Sequence, residues 1–94
     1  MQSQQGQGQE LDQLSQKDPS QRAQEAMLRM GRDLQAKGHV NEAMDMFVKL
    51  LEDYPGTPAS NAAANALVDL AEYLEQHGAP HMALHVYQTL EQFQ

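Results

Sequence analysis

From residue 18 onward, apolar side chains recur three and four positions apart in four stretches, and glycine or proline punctuates each gap. That spacing gathers them on one face of a 3.6-residue helix, so the pattern predicts four amphipathic helices and no strand. Asp18-Pro19-Ser20-Gln21 supplies a capping carboxylate, a first-turn proline and a capping-box glutamine in the order a helix start requires. Ala23, Met27, Met30 and Leu34, with Ala26 beside them, form the first apolar stripe, and Gly38 is the expected left-handed stop. Asn41 is the expected cap of a second helix carrying Ala43, Met44, Phe47, Leu50, Leu51 and Tyr54, which Pro55-Gly56 ends. Asp45 and Lys49 add an expected i,i+4 ion pair on it. Thr57-Pro58 opens a third helix with Ala59, Ala63, Ala66, Leu67, Leu70, Ala71 and Leu74 on one face, and its alanines permit close helix approach. Ala79-Pro80 opens the fourth, which presents Ala83, Val86, Tyr87, Leu90 and Phe93.

The second pair of helices repeats the first at a constant shift of 40 residues. Met27 falls on Leu67, Met30 on Leu70, Gly31 on Ala71 and Leu34 on Leu74; Gly38 then falls on Gly78, Ala43 on Ala83, Phe47 on Tyr87 and Leu50 on Leu90. Small residues thus recur where two antiparallel helices would cross most closely, and a ring recurs beside them. One hairpin cannot bury its apolar face alone, so stacking the two completes a shared core. The expected fold is all-α: a single domain over 18–94, built as two stacked antiparallel hairpins, 18–55 and 57–94.

Taken together, these residues resemble the tetratricopeptide-repeat family. The first hairpin supplies Met27, Met30-Gly31, Leu34, Gly38, Ala43, Phe47 and Pro55 to that pattern; the second supplies Leu67, Leu70-Ala71, Leu74, Gly78, Ala83 and Tyr87. The repeat exceeds the family's usual length of about 34 residues. The excess falls in the helix from Pro58 to His77, as in long-helix variants of bacterial envelope-assembly proteins, and the Tyr54-Pro55-Gly56-Thr57-Pro58 junction is similar to theirs. The resemblance implies a fragment of a helical solenoid that acts without chemistry, as an adaptor or scaffold holding a peptide or protein on the inner face of each first helix. Projected onto this chain, that face offers Glu25, Leu28, Arg32 and Gln35 from the first hairpin, with Asn65, Val68, Glu72, Glu75 and Gln76 from the second. Such a groove is polar and mostly acidic. It suits a basic partner, and the Lys/Asn/Arg clamp by which some relatives hold a terminal carboxylate has no counterpart.

Charge sharpens this picture. The net charge is -7, yet residues 1–49 hold all six basic side chains, while 50–94 hold six acids and no base. Nucleic acid and anionic lipid both demand clustered Lys and Arg, so neither is an expected partner of the second half. No apolar run approaches the roughly 20 residues that span a bilayer, so membrane insertion is not expected. A soluble location is expected, cytoplasmic in preference, with a fragment of a bacterial envelope protein as the alternative. Residues 1–17 include seven glutamines and, after Met1, only Leu11 and Leu14 as sizeable apolar groups. They are expected to form a disordered tail, with a short transient helix over residues 10–16 as the lesser alternative.

Candidate chemistry adds little. The chain has no cysteine, and it lacks a glycine-rich phosphate loop and an HExxH arrangement, so no catalytic residue and no cofactor site is assigned. Adjacent acids such as Glu52 and Asp53 point to different sides of a helix and serve as surface charge. His77, His81 and His85 recur every four residues, but Gly78, Ala79 and Pro80 interrupt the helix between the first two, so no metal site is assigned. Met46 and Met82 fall off the main stripes and could form an adaptable surface.

A two-hairpin stack leaves the outer side of its last helix open. Leu84, Val86, Leu90 and Phe93 are therefore expected to form an apolar self-association patch, through which two copies dimerise, unless the chain is cut from a longer array. The expected function is a non-catalytic interaction module. A self-assembly unit is the runner-up, and an accessory segment of a larger enzyme is a distant third.

Overall fold

The computed structural model describes residues 18–93; the expected glutamine-rich tail, 1–17, and Gln94 lie outside the described residues. The described chain is α-helical: α1 (Pro19–Ala36), α2 (Val40–Asp53), α3 (Pro58–Gln76) and α4 (Pro80–Glu91). Asp18 caps α1 by accepting the Gln21 amide at 2.7 Å on Oδ1, as the sequence predicts. Thr57 caps α3 in the same manner, accepting from the Ser60 amide at 3.1 Å.

The two hairpins turn through the same device. Gly38 and Gly78 sit at φ +83° and +79°, a region that costs glycine little. At the first turn the Gly38 amide bonds back to the Gln35 carbonyl at 3.0 Å and the His39 amide to Leu34 at 2.9 Å; at the second the Ala79 amide reaches Leu74 at 2.8 Å. So tight a reversal makes His39 and Ala79 both the last residue of the turn and the N-cap of the helix that follows. The expected Asn41 cap is accordingly wrong: α2 starts at Val40 behind His39, with no side-chain capping bond.

α1 packs antiparallel on α2 and α3 on α4, and α3 also leans on α2 and, less extensively, on α1. The core runs through all of this contact: Ala43, Phe47, Leu50, Ala63, Leu67 and Ala71 are fully enclosed, with Leu70, Ala83 and Val86 nearly so. Gly31 lies directly against the Phe47 ring. Two expectations of detail fail. Met30, assigned to the core stripe, is 52% exposed, because it sits on the flank of α1 that has no described helix in front of it. Lys49 pairs with Asp53 at 3.1 Å rather than with Asp45, and Lys37 pairs with Asp33 at 2.9 Å. Both pairs are exposed, and such pairs contribute only about 0.3–0.5 kcal/mol.

Candidate partner-binding surfaces

α1 and α3 run in the same direction side by side. Their first turns meet in a shallow cleft, where Gln24, Glu25 and Leu28 face Pro58 and Ala59. Farther along, Arg32 and Gln35 face Ala62, Asn65, Ala66 and Asp69. At the far end a cleft of about 530 Å³ opens between Arg32, Gln35 and Ala36 on one side and Leu70 and Tyr73 on the other, with Val40 and Gly38 at its end. Leu70 is almost fully buried and forms an apolar floor, whereas Tyr73 is 50% exposed and forms a wall. Tyr73 is held in place by the turn that follows it. Its ring stacks on His77 with centroids 3.9 Å apart, and His77 Nδ1 lies 2.8 Å from the Tyr73 carbonyl oxygen.

The expected groove is therefore divided. Glu25, Leu28, Arg32, Gln35 and Asn65 do line the α1–α3 channel. Val68 does not: it belongs to the opposite flank of α3, in a cleft of about 340 Å³ with Asn61, Ala64, Leu51, Leu90 and Phe93, and Asn65 borders this cleft as well as the channel. Glu75 and Glu72 also turn toward α4. The Tyr87 phenol lies beside Glu75, and its pKa is raised above 10.0, most by its partial burial and then by its interaction with Glu75 and the charge of Glu72. Gln76 is exposed at the end of α3 and lines none of these clefts. Several channel residues, Ala62, Ala66, Asp69 and Tyr73 among them, were not in the groove expected from the sequence. Alanine carries no signal that separates a groove wall from core, and an exposed tyrosine stands out only once its stacking partner His77 is in place.

The apolar end patch also needs correction. Val86 is only 1% exposed, because it points into the α3–α4 core, so it cannot belong to an exposed surface. Leu84 is 52% exposed and Phe93 37%, while Leu90 is partly covered. Leu90 and Phe93 share the cleft with Val68; Leu84 does not line it.

Among the described residues, no three His, Cys, Asp or Glu side chains gather to hold a metal ion, and no helix is long and apolar enough to cross a membrane. His85 lies with Asp45, Lys49 and Glu52 along the α2–α4 side of the molecule. The chain matches no family model, no curated protein and no solved structure.

Proposed function

We propose that the chain is a tetratricopeptide-type interaction module that binds a peptide or protein partner in the α1–α3 channel and performs no catalysis. The observation that carries this reading is the cleft at the channel's end. An apolar floor of Leu70 and Val40 lies between the polar groups of Arg32 and Gln35 and the exposed ring of Tyr73. A few polar groups converging on an apolar base are what a peptide side chain and its backbone require of a receptor. The 40-residue repeat supports the reading, because repeat stacking is what sets two first helices side by side. The charge of the partner changes with this geometry. Arg32, Asp69 and Glu25 give the channel mixed sign, and the acids that suggested a basic partner, Glu72 and Glu75, lie on the other flank. The runner-up, a unit that works by self-assembly, draws its support from that flank.

A random peptide library displayed on phage tests the proposal. Peptides selected on the wild-type chain should bind at least about tenfold more weakly to Arg32→Glu and Tyr73→Ala, the loss expected when a central anchor is removed. They should bind Leu84→Ala as they bind wild type. Selected peptides indifferent to both channel substitutions would show that recognition lies elsewhere, and failure to select any peptide would count against a peptide channel.

A further inference from the structure

Two flanks of the described hairpin pair face no other described helix, and each repeats a flank that does. In the seam between the hairpins, Ala63 and Leu70 of α3 are 0% and 1% exposed because hairpin one lies in front of them. Forty residues earlier, Ala23 and Met30 occupy the same places on α1, but Ala23 is half-buried and Met30 is 52% exposed. The other side of the seam repeats as well. Gln24 and Leu28, which meet the start of α3, correspond to Ala64 and Val68, which line the open cleft with Leu90 and Phe93. The molecule thus carries both halves of its own internal interface, one at each end.

We propose that α1 of a second copy of this chain seats in the cleft between α3 and α4, as α3 seats on hairpin one, so that copies stack head to tail. The charges agree with this register. Within the chain, Asp69 shares a cleft with Arg32 and Gln35. Shifted by 40, the same three places hold Arg29 opposite Glu72 and Glu75, so the signs are exchanged and the attraction is kept. A symmetric pair joined through the α3–α4 flank would instead set one acidic flank, with its Glu72 and Glu75, against another of the same sign. The head-to-tail contact joins two different surfaces and does not close, so it builds open stacks rather than a dimer. It does not rest on the channel reading: Arg29, Met30 and Val68 line none of the α1–α3 clefts.

Sedimentation of the 94-residue chain over a concentration series should show a mean mass that keeps rising without a plateau. Met30→Glu and Val68→Glu each spoil one end at an exposed position, and each alone should be monomeric with unchanged helicity. Mixed in equal amounts they should form a dimer and stop, because the mixture keeps one intact pair of ends. Should Val68→Glu lose helicity, Phe93→Asp takes its place. Arg29→Glu or Glu72→Arg should weaken association about tenfold or more, and the double reversal in one chain should restore it. A wild-type chain that stays monomeric at the highest concentration overturns the proposal. So does a mixture of single variants that fails to pair, or a dimer that Val68→Glu abolishes and Met30→Glu leaves intact, which would mean symmetric pairing.

Discussion

Among the described glycines, Gly31 is the one pressed against a neighbouring side chain. A Cβ placed there would stand 2.5 Å from Phe47 Cε1 and 2.9 Å from Cδ1 and Cζ, well inside van der Waals contact. The ring cannot withdraw, since Phe47 is 0% exposed and enclosed by the rest of the core. Gly31→Ala would gain about 1 kcal/mol of helix propensity but force an overpacked contact that costs roughly 1–3 kcal/mol. With a ring that has nowhere to go, the upper part of that range applies, and a net loss of about 1–2 kcal/mol is expected in urea denaturation. Placing the same substitution in a Phe47→Leu background should remove most of the loss. Equal costs in both backgrounds would show that the ring is not the cause. The second hairpin tolerates Ala71 at the equivalent place because its ring is Tyr87, which is only half-buried and extends outward to Glu75.

Among the helices, the starts divide into two kinds. α1 and α3 begin at a side-chain cap followed by proline, and both starts could be read from Asp18-Pro19 and Thr57-Pro58 because such a cap leaves its mark in residue types. α2 and α4 begin where a glycine turn releases the chain, with no side-chain cap; Pro80 still marks the start of α4 in the sequence, whereas no such residue marks Val40. Asn41 was a sound cap by composition and the wrong one by position. Thr57 does more than cap. Its Oγ1 donates to the Tyr54 carbonyl at 2.8 Å while accepting from Ser60, so it fastens the end of α2 to the start of α3 across the connection at residues 54–57. Ser60 is 2% exposed, so water is poorly placed to substitute. Thr57→Ala should therefore cost about 1–2 kcal/mol, and Asp18→Ala, at an exposed start, about 0.5–1 kcal/mol. Equal shifts of the urea midpoint for the two variants would show that Thr57 is an ordinary cap with no role in joining the hairpins.

At the scale of the whole molecule, the stacking of hairpins was legible and its side was not. Helical periodicity tells which residues of α3 share a face, but not which flank of that face meets α1. Asn65, Val68, Glu72 and Glu75 therefore looked alike in the sequence, yet Asn65 borders clefts on both flanks while Val68, Glu72 and Glu75 lie toward α4. The choice of flank depends on the hand with which α3 crosses α1 and α2, a property of packed surfaces. Leu70 reports on that seam directly. It is 1% exposed and shares the end cleft with Ala36 of α1 and Val40 of α2, so its side chain bridges from the second hairpin to the first. Leu70→Ala should cost roughly 2–5 kcal/mol, the range for emptying a leucine site that cannot collapse. Because the cavity lies between hairpins, each of which depends on the other for a covered core, the loss should also weaken their coupling, and the urea transition should broaden as well as shift. Leu84→Ala is the matched control, since that leucine is 52% exposed and outside the seam. A Leu70→Ala midpoint no lower than the control's, with an unchanged slope, would mean that the hairpins are not held together through this contact.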